Sequence, residues 1–168
     1  MKTILSITMF CALVAFAQAQ EVTKASATLE SKSNSKVTGT VTFTKVGDEV
    51  QVVADIQGLA PGKHGFHIHE KGDCSAPDAA SAGAHFNPTM KKHGGPDTLD
   101  HHSGDLGNIT TDASGKTHLD WKGKLSLSGT DSIIGKSVVV HEKEDDLKTD
   151  PSGNSGARVA CGAINAAD

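Results

Sequence analysis

Past the N-terminal stretch, the apolar positions of the chain follow a period of two. Short alternating runs rich in Val, Thr and Ile recur between turn signals, and no stretch keeps a 3.6-residue apolar period for the length of a helix. Successive residues of a strand point to opposite faces, so this alternation predicts half-buried strands. It places them near 21–30, 36–45, 49–57, 64–70, 105–111, 116–122, 136–142 and 157–164. Gly47-Asp48, Pro61-Gly62 and Ala113-Ser114-Gly115 supply turns between them. Eight strands at these spacings predict an all-β sandwich or flattened barrel.

Two segments break the rhythm. Residues 71–104 and 143–156 are dense in Gly, Pro, Asp, Ser and Lys and are too long for hairpin turns. Loops of that length in a compact domain are functional or disordered. The first carries His85, His93, His101 and His102, with His69 just before it, so metal is the expected source of its order. At the start of the chain, Lys2, the apolar run Ile4–Phe16 and then Ala17-Gln18-Ala19 read as a secretory signal peptide over 1–19, leaving one domain over 20–168. That run is shorter than the roughly 20 apolar residues of a spanning helix, and no later segment approaches that length, so no membrane anchor is expected.

The formal net charge is −4, and losing Lys2 with the leader makes the remainder more acidic. With no basic run, nucleic acid is not an expected partner, because its binding rests on Lys and Arg contacts to phosphate. An anionic substrate would need locally placed positive charge. Cys11 lies in the leader, which leaves Cys74 and Cys161, and an even pair in an exported chain reads as one disulfide.

The chemistry concentrates in the histidines. In His67-Ile68-His69 the two imidazoles share one face of a strand while Ile68 turns to the other, which makes a two-ligand platform. His85, His93, His102 and Asp105 then place three imidazoles and a carboxylate in one Gly-rich loop. Nitrogen donors with one carboxylate suit zinc, and four protein donors close its coordination shell, so the site reads as structural rather than hydrolytic. His141 ends the apolar run Val138-Val139-Val140 beside the second long loop, where it can serve as a further donor or as an ordinary strand-end residue.

Taken in order, the motifs Gly65-Phe66-His67-Ile68-His69-Glu70, Gly83-Ala84-His85-Phe86-Asn87-Pro88, His93-Gly94-Gly95-Pro96, Gly104-Asp105-Leu106-Gly107-Asn108, Val140-His141-Glu142-Lys143 and Gly156-Ala157-Arg158-Val159-Ala160-Cys161-Gly162 resemble the copper/zinc superoxide dismutase family. The resemblance covers nearly all of the mature chain. It implies an eight-stranded Greek-key sandwich, an architecture in which this family is a standard member. It implies one copper per chain on His67, His69, His85 and His141, and one zinc on His85, His93, His102 and Asp105, with His85 bridging the two. Superoxide is the implied substrate, disproportionated to dioxygen and hydrogen peroxide, with Arg158 guiding the anion and His85 delivering a proton. Asp145 matches the carboxylate that joins a copper ligand to a zinc ligand, here His67 and His93, although Asp146 is an adjacent rival. The implied disulfide joins Cys74 to Cys161 and staples the metal loop to the last strand.

Some positions depart from the family pattern. Asp73-Cys74-Ser75-Ala76-Pro77-Asp78 resembles a branch of secreted bacterial enzymes, which suggests the periplasm as destination, with full secretion as the alternative. The second loop lacks the Glu-Glu-x-x-Lys run used for steering substrate, and Lys148 is the candidate substitute. His64 and His118 match no ligand position and are expected on the strand surface or in turns. His101 is expected to face solvent beside His102. Ser132-Ile133-Ile134-Gly135 and the C-terminal Gly162-Ala163-Ile164-Asn165 hint at a homodimer. The competing readings are a non-catalytic copper/zinc-binding module on the same sandwich and a zinc hydrolase.

Overall fold

The computed structural model describes residues 21–167, so the leader reading over 1–19 lies outside the described residues. Nine strands follow one another: β1 (Lys24–Ser31), β2 (Thr38–Val46), β3 (Glu49–Gln57), β4 (Gly62–His69), β5 (Asp105–Thr111), β6 (Lys116–Gly123), β7 (Ser137–His141), β8 (Arg158–Ala163) and the short β9 (Asn165–Ala166). Eight of them correspond to the expected strands within a few residues at each end. The two-residue β9, which pairs with β1, is additional. Among the described residues there is no α-helix, only one 3-10 turn at Ala80–Ala82.

All pairings between the named strands are antiparallel, in the order β5-β4-β7-β8-β1-β2-β3-β6. Non-consecutive neighbours such as β4 with β7 and β8 with β1 are the mark of Greek-key winding. The two end strands, β5 and β6, are consecutive in sequence and joined by a tight turn in which Asp112 N–H donates to the Lys116 carbonyl at 2.9 Å. The sheet therefore bends round into a nearly closed barrel.

One set of alternating side chains fills the interior: Ala25, Ala27 and Leu29 from β1, Val41 and Phe43 from β2, Val50, Val52, Ala54 and Ile56 from β3, Phe66 and Ile68 from β4, and Val138 and Val140 from β7. Burying each of the larger of these contributes about 2 kcal/mol. On β1, β2, β3 and β6 the alternate residues face water. On β7 every residue is buried, as are the last six of β4, because loops 71–104 and 143–156 cover their outer face.

The Cys74–Cys161 disulfide, with Cα atoms 5.7 Å apart, ties the first loop to β8. A satellite cluster of Ala79, Ala82, Val139 and Cys161 packs beneath that attachment. In the chain-entropy account, closing a loop of this length contributes about 4–5 kcal/mol.

Candidate metal centre

Four imidazoles converge on the outer face of β4 and β7. His67 and His69 stand two residues apart on β4, and His141 ends β7 where the ladder with β8 shifts register. A second shift lies between Gly65 and His67 in the β4–β5 ladder. Such irregularities re-aim side chains. His85 comes from the first loop, carried to β4 by a bridge in which Phe86 N–H donates to the Ile68 carbonyl at 2.8 Å and Glu70 N–H to the Ala84 carbonyl at 2.9 Å. Gly65 makes room under the cluster, since a Cβ there would stand 2.8 Å from Ser155 Cβ and 3.0 Å from His67 Cε1.

Each of these four rings has one nitrogen committed. His67 Nε2–H donates to Asp145 Oδ2 at 2.7 Å, His69 Nδ1–H to the Gly83 carbonyl at 2.9 Å, and His141 Nδ1–H to the Gly156 carbonyl at 3.2 Å. His85 Nδ1 lies 2.8 Å from Asp105 Oδ1. The remaining nitrogens, His67 Nδ1, His69 Nε2, His85 Nε2 and His141 Nε2, are buried without a partner; among the described residues only Ser137 Oγ shares that condition. A buried polar atom left unpaired costs about 1–3 kcal/mol. Four of them gathered so that one donor atom of each lies within 4.8 Å of the others fit a metal ion of the copper class, which imidazole suits.

The second group gathers on Asp105, the first residue of β5. Its Oδ1 lies 2.8 Å from His85 Nδ1, 3.1 Å from His93 Nδ1 and 3.2 Å from His102 Nδ1. Its Oδ2 is held by the backbone N–H groups of Gly94 at 3.0 Å and His102 at 2.9 Å, which aims Oδ1 at the three rings. Three imidazole nitrogens and one carboxylate oxygen fit a closed tetrahedral zinc site. His85 faces both groups, one through each ring nitrogen.

Burial, and then the other imidazoles nearby, push the His85 ring down to about 4 and His141 down to about 3, and hold His69 well below its ordinary value. All three stay neutral at pH 7, the form that binds metal. His93 behaves oppositely: burial works against its charge, yet hydrogen bonds to Asp105 and Asp145 outweigh it and raise the ring to about 9. For Asp105 and Asp145 burial also opposes charge, and the facing histidines prevail, holding both carboxyls well below the usual range.

Asp145 is buried between the groups, accepting from His67 Nε2–H at 2.7 Å through Oδ2 and from His93 Nε2–H at 2.9 Å through Oδ1. Gly153, at φ 62°, passes so close to this carboxylate that no Cβ would fit. Asp146 turns away to cap Thr149, whose N–H donates to it at 2.9 Å. Asn108, which the sequence offered only as the end of the Gly104–Asn108 motif and without a role, pins the position: its side chain donates to the Asp145 carbonyl at 2.9 Å and accepts from the Asp145 N–H at 2.8 Å. The backbone carbonyls of Gly83 and Gly156 were equally invisible, since carbonyl acceptors carry no residue signature.

Arg158 sits across the ladder from His141. It is half-buried and donates through Nη1 to the Ala79 carbonyl at 2.8 Å. With His69, His85 and His141 it lines an open cavity of about 670 Å³. Lys148 is exposed on the second loop and is not among the residues that line that cavity. His101 stays outside both groups, its Nδ1 on the His102 carbonyl at 2.7 Å. His118 is exposed and pairs with Asp55. His64 corrects the expectation of a surface residue: it is buried, with Nδ1 3.0 Å from the His141 carbonyl and Nε2 2.8 Å from that of Ala60. The alternation itself carried that signal, because His64 shares its strand face with Phe66 and Ile68.

Residues 37–164 match the family model for copper/zinc superoxide dismutase (SODC). The chain is 48% identical over 140 residues to an extracellular superoxide dismutase [Cu-Zn] of Caenorhabditis elegans, an alignment covering 79% of this chain and 63% of the relative. It is 47% identical over 140 residues to the protein of the same description from Drosophila melanogaster, covering 78% of this chain and 77% of that one. A third such protein, from Brugia pahangi, is 45% identical over 141 residues, with 78% and 70% covered. The crystal structure of the clock protein EA4 superposes with a TM-score of 0.83 at 42% identity, covering 91% of this chain and all of that one. Two adjoining sets of buried donors, one imidazole shared between them, stand on a Greek-key barrel whose sequence matches over nearly its whole described length, and the chain belongs to the copper/zinc superoxide dismutase family.

Proposed function

We propose that this chain disproportionates superoxide: two superoxide anions and two protons become dioxygen and hydrogen peroxide. The observation that carries this reading is the convergence of four buried, partnerless imidazole nitrogens beside one half-buried arginine on an open cavity. Copper held by His67, His69, His85 and His141 would supply one-electron chemistry in both directions, whereas zinc held by His85, His93, His102 and Asp105 has none and would serve to order the loop.

The protein's own groups do the rest. Arg158, a permanent cation at the cavity, attracts and orients the anion. His85, its Nδ1 directed at the Asp105 group, has Nε2 as the atom that would carry a proton whenever it is not donating to copper, and would hand that proton to the departing peroxide. Asp145 fixes the His67 and His93 rings at once, which keeps the free nitrogen of each aimed inward. The zinc set is filled by protein donors, so a hydrolase lacks an open position there.

The disulfide and the extracellular names of three relatives support export. Of the two destinations considered, those names favour the extracellular one over the periplasm, and fractionating the producing cells distinguishes them. Should two copies pair, Ile133 and Ile164 are already buried within the chain, so Ile134 would be the apolar contact at that turn; sedimentation equilibrium reads the stoichiometry.

The test is metal content together with superoxide disproportionation, for the wild type and His141→Ala. One copper and one zinc per chain, with turnover lost by at least about a hundredfold in the variant while zinc is kept, supports the proposal. Zinc without copper, and no turnover after copper loading, would mean a metal-handling module on the same fold.

A further inference from the structure

Apart from its histidines, the cavity over the four-nitrogen group is lined by one charge of each sign, Arg158 and Asp78. Asp78 belongs to the loop that the disulfide holds against β8. Its Oδ1 accepts the Ala80 N–H at 3.0 Å, which fixes the carboxylate next to Ala79, the residue whose carbonyl takes Arg158 Nη1–H. The arginine thus spends a donor on a neutral carbonyl, and the carboxylate acts on it through space, opposing the effect of burial on the guanidinium. Any anion drawn to Arg158 also meets the field of Asp78. Both lie on one cavity lining, where charges within a Debye length of roughly 8–10 Å act on each other and on the entering ion.

We propose that Asp78 determines anion specificity at this mouth: its carboxylate weakens capture of every anion by Arg158, and does so twice as strongly in energy for a dianion as for a monoanion. A substrate that reacts on contact needs only brief capture, so it is slowed little. Inhibitory anions, which act by staying bound, are held off, and dianions most of all. This rests on the reading of the cavity as the superoxide site, and it gives the acidic chain a means of keeping one arginine selective.

The experiment uses the metal-loaded protein as wild type, Asp78→Asn, Asp78→Ser and Asp55→Asn. Asn and Ser both keep an oxygen that can accept the Ala80 N–H. Asp55, exposed on β3 beside His118, makes the same change in net charge away from the mouth. Azide and phosphate binding are read from the visible absorption of bound copper, and the second-order rate with superoxide is followed against ionic strength. The expected result for Asp78→Asn is azide binding tightened about threefold, dianionic phosphate about ninefold, and superoxide reacting about twofold faster at low ionic strength, all fading towards wild type at high salt. Asp55→Asn should change none of these.

Equal tightening of azide and phosphate, no salt dependence, or the same gains in Asp55→Asn would overturn the proposal, and Asp78→Ser must agree with Asp78→Asn for it to stand. A wild type that binds azide but does not react with superoxide would instead sink the functional reading, while the azide and phosphate ratios still report on Asp78.

Discussion

The two halves of this barrel are written in the same alternation and put it to different use. In β3, buried Val50, Val52, Ala54 and Ile56 alternate with residues that reach solvent. In β7 nothing reaches solvent: Val138 and Val140 face the core, while Val139 and His141 lie under loops. β4 shows the same, with Phe66 and Ile68 inside and His67 and His69 outside, all buried. Where the open half places groups that water can hydrate, the covered half places imidazoles whose inward nitrogens are buried beneath the cavity floor. Such groups need other partners, and hydrogen bonds satisfy only one nitrogen of each of His67, His69, His85 and His141. The stability of the covered half is therefore conditional on metal, and that of the open half is not.

Removing both metals should break this comparison most sharply. Two ions, each present at a thousand times its Kd, stabilise the fold by about 8 kcal/mol in total. Chelation should lower stability by that order and open 71–104 and 143–156 to hydrogen exchange, while β2 and β3 keep their protection. A uniform rise in exchange across both halves would contradict the division. The converse change is Phe43→Ala, in the core under the open half. It should cost about 3–5 kcal/mol in chemical denaturation and leave copper and zinc content unchanged.

Asp145→Ala is the smaller, more local test. Without the carboxylate that orients His93 and His67, zinc affinity in a chelator competition should fall about 10- to 100-fold, and Asp146→Ala should leave it unaltered. Equal effects from the two aspartates would show that Asp145 acts only by general charge.

The gentlest perturbation is pH on the metal-free protein. His85 and His141 titrate lower in the fold than when unfolded, at about 4 and about 3, so the unfolded chain binds more protons between those values and about 6.5. Their contribution is present above about 6.5 and is lost as pH falls through the folded values; the depressed Asp105 and Asp145 carboxyls add to that loss at more acid pH. His93, raised to about 9, contributes below about 6.5 and loses its contribution as pH rises towards 9. Thermal melts of the metal-free protein should therefore be highest near neutrality and fall on both sides. Zinc should remove the alkaline decline by taking over His93 Nδ1. A decline that persists with zinc bound would place its origin elsewhere.

Much of this was readable in the chain because alternation and turn residues act locally. The period of two located eight strands, and the crowding of His85, His93, His102 and Asp105 into one Gly-rich segment marked the loop as a binding element before any geometry was known. What stayed hidden depends on contacts between distant segments. Asn108 grips Asp145 across 37 positions, and the carbonyls of Gly83 and Gly156 set ring orientation with groups every residue possesses. The burial of the Asp145 carboxylate also needs Gly153, where a Cβ would overlap it, and that close approach is fixed only once the second loop folds back.

The central claim is that two adjoining ions replace water for these buried nitrogens. The most direct measurement is a crystal structure of the metal-loaded protein with anomalous scattering collected on either side of the copper and zinc absorption edges. The account predicts two peaks: copper among His67 Nδ1, His69 Nε2, His85 Nε2 and His141 Nε2, and zinc among His85 Nδ1, His93 Nδ1, His102 Nδ1 and Asp105 Oδ1. A single peak, or metal lying outside these donors while the four nitrogens stay unpaired, would contradict it.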